Sequence, residues 1–434
     1  MEEQRIGMMY VNLLKRWWRN AWAGLFPRGL KRSGALPILV ICFLLLIPAV
    51  GWYLHIYGRF ALVKREIKGE TQSTGPTLPR PGGADPIFLR RTESAGSNLP
   101  EFLSVTMVPG LGMGVLQITA SLPDRGEVPL LFAPSVASLA NDVAGPKVGS
   151  NDLHGSFEVP WSGNLNGPIS PLGTSLTTNW RGHAISVPRA ASERSGSGAE
   201  GGLLMVQPAD TTNTNLSTNP TSATGEFEGT TFDDHWPSKT NVSISAQLTA
   251  RAIDLTVTAK NVGDQPEPLG IGWHPRFLIP NGSRQDAELR LPAGEVIDYA
   301  DKSKITPSGR IVPPDEGVSR FQGHPAPLGS QSLDATLVHM KPALLDSGIG
   351  VELRGLSSGY GLRVSAISTS IRAIRIASPS GADYVSIGMQ TNFDDPTGKQ
   401  WSDADQPIPN LLPGQVIEWK VRLEIFPIMK RQTP

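Results

Sequence analysis

The chain is short of three things, and each shortage closes off a class of protein. It has one cysteine, Cys42, in 434 residues, which excludes a disulfide framework and a cysteine-ligated zinc site together. It has no surplus of either charge: Lys+Arg 39 stand against Asp+Glu 39, a formal net charge of +0. Gripping phosphates needs a cationic excess on some face, so nucleic acid is not an expected partner. It also lacks a Gly-rich phosphate loop, a serine nucleophile elbow and any metal-ligand spacing, so no cofactor and no metal is expected. No long amphipathic helix follows residue 70, and no segment repeats. What is present in quantity is turn chemistry. Gly 46 and Pro 38 make about a fifth of the chain, against a usual combined share of roughly 12%. With 39% hydrophobic residues the chain can bury a core, which excludes wholesale disorder. Short strands joined by turns are the expected architecture.

The N-terminal part reads as a membrane anchor. Residues 35–57 carry no charge between Arg32 and Arg59 and include Pro37-Ile-Leu-Val-Ile-Cys-Phe-Leu-Leu-Leu-Ile, enough to cross the hydrocarbon as one helix. Trp52, Tyr53 and Tyr57 lie at one end, where amphipathic rings prefer the headgroup level. Residues 1–34 contain Arg5, Lys15, Arg16, Arg19, Arg28, Lys31 and Arg32, with Tyr10, Leu13, Leu14, Trp17, Ala21 and Leu25 at helical spacing. That pattern predicts a basic amphipathic segment on the cytoplasmic leaflet and puts the main domain outside, periplasmic or extracellular. A cleaved signal peptide ending near Ala49-Val-Gly is the rival. Cys42 falls inside the span and is expected to be a small apolar filler.

Residues 58–100 are Gly/Pro/Ser-rich and predict a linker. From there to residue 430 one large mainly β domain is expected. Ser104-Val-Thr-Met-Val, Gly114-Val-Leu-Gln-Ile-Thr-Ala, Val242-Ser-Ile-Ser-Ala-Gln-Leu, Ile253-Asp-Leu-Thr-Val-Thr-Ala, Leu362-Arg-Val-Ser-Ala-Ile, Ile374-Arg-Ile-Ala and Val416-Ile-Glu-Trp-Lys-Val-Arg-Leu-Glu-Ile alternate with period two, as half-buried antiparallel strands do. The Ser/Thr/Gly/Asn-rich stretch from Ala190 to Thr231 predicts a surface loop.

The densest cluster of unusual residues is Gly270-Ile-Gly-Trp-His-Pro-Arg-Phe. It sets His274 at a rigid strand end, between Trp273 and Pro275. Aromatic neighbours would make a floor for the C–H face of a sugar ring, and an imidazole titrating near neutrality can protonate a ring oxygen. The same residue type at a strand end also serves as a structural hydrogen-bonding cap. The local sequence leaves both roles open.

The segment Gly272-Trp-His-Pro-Arg-Phe resembles the His-Pro-Tyr-Phe segment of the aldose 1-epimerase (galactose mutarotase-like) superfamily. Pro109-Gly-Leu-Gly-Met-Gly-Val-Leu-Gln-Ile-Thr-Ala, Val159-Pro-Trp-Ser-Gly-Asn-Leu-Asn-Gly, Asp254-Leu-Thr-Val-Thr-Ala-Lys-Asn-Val-Gly, Thr306-Pro-Ser-Gly-Arg, Leu333-Asp334 and Leu412-Pro-Gly-Gln resemble other segments of that family in the same order, over roughly residues 104 to 427. The resemblance implies a galactose mutarotase-like β-supersandwich with a sugar cleft on one sheet. It also implies an isomerase chemistry in which a Glu deprotonates the anomeric hydroxyl and a His protonates the ring oxygen. On it, His274 is the candidate acid. Asp334, Trp273, Arg276, Trp161, Asn164 and His154 are candidate carbohydrate-binding residues, and Arg276 stands where the family often has Tyr.

Three positions depart from the pattern. Gly388 occupies the position of the base, Asn164 that of a substrate-binding Arg, and Gly201 that of a second His. Loss of a general base forfeits roughly 10²–10⁴-fold in rate. Asp383 is expected to face away from the cleft by strand parity. Asp394 and Asp395 read as turn-forming acids before Pro396, with reach into the cleft as the alternative, and His235 reads as a packed loop residue. Two functions follow as expectations: a membrane-anchored, aldose 1-epimerase-like protein that binds carbohydrate and interconverts anomers, or an inactive glycan-binding or envelope-assembly module on the same fold.

Overall fold

Period-two alternation becomes strand wherever the sequence predicted it. The computed structural model describes residues 79–95, 97–141, 155–189, 198–205, 214–302, 305–342, 348–402 and 404–429. The proposed membrane span at 35–57, the basic segment before it and His154 lie outside these residues. Among the described residues no helix is long and apolar enough to cross a membrane.

Two large antiparallel sheets make the body. The first has nine strands in the order Thr214–Asn219, Ser222–Thr230, Thr240–Leu248, Ala252–Asn261, Val416–Pro427, Tyr360–Ala366, Ile349–Gly355, Ala287–Arg290 and Ala326–Pro327. The second has eight: β1 (Phe157–Glu158), β2 (Gly272–Trp273), β3 (Arg276–Leu278), β4 (Ala293–Asp301), β5 (Thr306–Val312), β6 (Leu333–Lys341), β7 (Ala373–Ser378) and β8 (Tyr384–Gln390). They run in the order β5-β4-β6-β7-β8-β2-β1, with β3 paired to β8. The two sheets share one hydrophobic core, to which Val351, Leu353, Leu362, Val364, Trp419 and Val421 contribute from the first and Leu337, Ile374, Ile376, Val385, Ile387 and Met389 from the second. Each such side chain stabilises the fold by about 2 kcal/mol when fully buried. Trp419 ties the layers further, its indole N–H donating to the Met389 carbonyl at 2.9 Å.

Two boundaries differ from the sequence expectation. Ile87–Arg90, inside the stretch expected to be linker, pairs with Glu101–Val108 and buries Leu89 completely. A four-residue strand is too short for its alternation to stand out among flanking prolines. The stretch from Ala190 to Thr231, expected to be a loop, supplies a hairpin at the edge of the nine-stranded sheet. Its threonines are β-branched and suit a pleated surface, which polarity alone does not reveal.

One buried carboxyl sets a pH dependence of stability. Glu267 is fully buried in a short ladder with Asn410–Leu411, and its oxygens accept from Thr240 Oγ1 at 2.9 and 3.1 Å. Burial pushes its pKa from 4.5 up to about 7. A carboxyl whose folded pKa is raised contributes stability that is complete below the unfolded value and is lost as pH rises through the folded one. Between pH 4.5 and 7 the domain should therefore lose up to about 3 kcal/mol through this group. Urea unfolding at pH 5 and pH 8 should show that decline in the wild type and not in Glu267→Gln. An equal decline in both would assign it elsewhere.

Candidate functional site

Strand parity gives the eight-stranded sheet two unlike faces. Val385, Ile387 and Met389 of β8, Ile374 and Ile376 of β7, and Leu333, Ala335 and Leu337 of β6 point into the core. Their alternates therefore share the opposite face. The register aligns them in rows: Thr336–Arg375–Gly388 across β6, β7 and β8, and Asp334–Ala377–Ser386–Arg276 across β6, β7, β8 and β3. Sequence positions far apart thus meet on one surface.

His274 lies over the Gly388 end of the first row with a fifth of its side chain exposed. A Cβ at residue 388 would come within 2.4 Å of its Cδ2 and 2.6 Å of its Nε2. The imidazole therefore occupies the space that any side chain there would need. Gln390 Nε2 donates to the Asn392 carbonyl at 2.9 Å, which turns Gln390 Oε1 toward the ring, and His274 Nε2 donates to it at 2.9 Å. Ser162 Oγ lies 3.2 Å from the same nitrogen. It reaches there because Gly272 has no side chain; a Cβ would sit 1.9 Å from that hydroxyl.

The other ring nitrogen faces a carboxylate. Glu158 Oε1 is 3.8 Å from His274 Nδ1, an ion-pair separation that is too long for a hydrogen bond. Glu158 Oε2 accepts from Ser162 Oγ at 2.7 Å and from the Gly163 N–H at 2.8 Å. Glu158 is buried and sits beside the ring. It is not a base facing it across a ligand-sized gap.

Beyond Gly388 lies a charged cluster. Arg375 Nη2 is paired with the half-exposed carboxylate of Asp334, and its guanidinium lies over the Tyr299 ring at 5.7 Å. Burial works against the Arg375 charge, but Tyr299, Asp394 and Asp334 outweigh it and hold the guanidinium pKa above its ordinary value. Asp394 is buried and accepts from the Tyr299 hydroxyl and from Thr336 Oγ1. Burial first, then the Asp394 charge, drives the Tyr299 pKa well up, so the phenol stays a donor. Asp395 accepts from the Asn166 N–H and from Gln400 Nε2, both at 2.9 Å, and burial raises its pKa.

The candidate residues divide accordingly. His274, Arg276 and Asp334 share one face. Trp273 does not: it is fully buried, donates its indole N–H to the Gly155 carbonyl at 3.0 Å and packs edge-on to Phe277. Trp161 is buried too, stacked on Trp236 with ring centroids 5.6 Å apart. Neither indole offers an open floor for a sugar. Asn164 is buried in the pairing of Asn164–Asn166 with Gly198–Glu200, its amide donating to Asn166 Oδ1 at 3.0 Å. Asp383 lies outside the cluster, beside Arg125, Asn281 and Tyr360. His235 is tied to the Ser186 carbonyl at 2.8 Å, and Gly201 adopts a left-handed φ of 79°. Asp394 and Asp395 are both buried in the polar network, and Asp395 also opens the turn expected at Pro396, its carbonyl accepting from the Gly398 N–H at 2.9 Å. The sequence reading missed Glu158, Ser162, Tyr299, Arg375 and Gln390. The available signal for Glu158 was an acid within Phe157-Glu-Val-Pro-Trp, an otherwise apolar run, since buried carboxylates persist only where they are partnered. Among the described residues no three His, Cys, Asp or Glu side chains converge to hold a metal ion.

No sequence-family profile and no curated protein matches the chain. Solved structures do. The fold is that of the aldose 1-epimerase and galactose mutarotase-like proteins. It is similar to a galactose mutarotase-like protein from Clostridium acetobutylicum (12% identity, 75% of this chain and 93% of that one, TM-score 0.58). It is also similar to an aldose epimerase homologue from C. elegans (14% identity, 79% and 99%, TM-score 0.57). A third is a galactose 1-epimerase from Lactobacillus acidophilus (11% identity, 79% and 99%, TM-score 0.53). At these identities the likeness establishes the fold alone.

Proposed function

We propose that this domain binds carbohydrate on the face shared by His274, Asp334 and Arg375 and does not open the sugar ring, and that residues 35–57 anchor it in a membrane with the domain outside. The observation that carries the absence of turnover is the His274 imidazole lying directly on Gly388. Ring opening needs an acid and a base on opposite sides of the anomeric carbon. Here the imidazole fills the space of the base, and the nearest carboxylate, Glu158, touches the imidazole's own flank. Sugar binding is supported by what remains: a half-exposed carboxylate held by a buried guanidinium, with an imidazole on the same face. Such groups orient hydroxyls by charge-assisted hydrogen bonds. The anchor rests on the charge-free apolar run and its basic N-terminal flank.

Calorimetric titration of the purified chain with monosaccharides and short glycans tests the binding. Asp334→Ala should weaken the tightest ligand at least tenfold, the loss of about one charge-assisted bond. Equal affinity for wild type and variant would move the site elsewhere. Absence of any saccharide binding would leave the fold without a carbohydrate role.

A further inference from the structure

We infer that the site extends into a second sugar subsite on Phe132 and Tyr384, so that its ligand is an oligosaccharide and not a free monosaccharide. This rests on the saccharide-binding face proposed above and deepens it. Parity puts Tyr384 on the same side of β8 as Ser386, Gly388 and Gln390. Leu278 of β3 pairs with Tyr384 and Arg276 with Ser386, so the Arg276 side chain shares that side as well. Its guanidinium lies 5.0 Å from the centroid of the Tyr384 ring. The segment before it adds an aromatic: the Phe132 N–H donates to the Arg276 carbonyl at 2.8 Å, and its ring stacks on Tyr384 with centroids 5.2 Å apart at 28°. Phe132 is 38% exposed, so part of its ring remains open to solvent.

From Gly388 to Tyr384 is four residues of extended strand, roughly 13 Å at about 3.3 Å per residue. One pyranose held at His274 and Asp334 cannot reach that far, whereas a chain lying along β8 can. Between the two ends the row on β7 and β8 carries the small side chains of Ala377 and Ser386, flanked on β3 by Arg276, a cation beside the path. Tyr384 is covered by Phe132 and by the Arg276 guanidinium, so the exposed part of the Phe132 ring is the aromatic surface that Trp273 and Trp161 do not provide, held in place at the far end of β8. Exposed rings with one apolar face and a nearby polar group are the usual platform for amphipathic ligands.

The test titrates the full chain with malto-, cello- and galacturono-oligosaccharides of one to four units. At least one series should gain tenfold or more in affinity between one and three units. In Phe132→Ala, whose melting temperature checks folding, that gain should vanish while monosaccharide affinity is kept; Asp334→Ala should weaken every length. Three results overturn the inference. Monosaccharide binding that depends on Asp334 but does not grow with length removes the second subsite and leaves the first. Growth with length that survives both Phe132→Ala and Tyr384→Ala puts the extension elsewhere. No binding at any length removes this inference together with the function beneath it.

Discussion

Gly388→Glu, which places a carboxylate where the family resemblance puts a base, should destabilise the domain by about 3 kcal/mol and create no mutarotase. Replacing a strand glycine ordinarily gains about 0.5–1 kcal/mol by lowering the entropy of the unfolded chain. Here a contact of 2.4 Å with His274 Cδ2 overrides that gain. The ring must leave, and with it go the bond to Gln390 and the approach to Ser162. Chemical denaturation of a four-member set isolates the cause. If the imidazole is the obstacle, Gly388→Glu with His274→Ala should be more stable than the sum of the two single effects, with a coupling on the order of 1–3 kcal/mol. Strictly additive effects would mean that the two residues do not compete for one space.

Arg375→Met should cost about 3–5 kcal/mol, because it leaves Asp394 buried without the cation in whose field it sits. The hydroxyls of Tyr299 and Thr336 would still donate to Asp394, but neutral donors stabilise a buried carboxylate less than a guanidinium does. Arg375→Met combined with Asp394→Asn should recover part of the loss, since the amide carries no charge to strand. A double variant no better than Arg375→Met alone would show that Arg375 acts by packing on Tyr299 and not through charge.

Much of this was legible in the sequence, for reasons that differ by residue. Strands such as Ala252–Asn261 and Val416–Pro427 follow from alternation alone, since one buried face imposes period two. His274 stood out because it sits between a tryptophan and a proline. The vacancy at Gly388 was visible, but its cause was not: only the tertiary approach of His274 across β8 shows that glycine is required there. Trp273 was misassigned where parity warned otherwise, because a residue next to one on the cleft face points into the core. The pairing of Asp334 with Arg375 depends on the register between β6 and β7, a non-local property that spacing within either segment does not carry. Asp394 looked like a turn acid because its partners, Tyr299 and Thr336, arrive from strands 95 and 58 residues away.

Optical rotation of freshly dissolved α-glucose and α-galactose, followed with and without the purified protein, bears on all of this at once. With the imidazole lying on Gly388, the proposed function predicts decay at the buffer rate together with measurable saccharide binding. Acceleration that disappears in His274→Ala would contradict it, and would mean that a carboxylate such as Glu158 completes the proton relay after all.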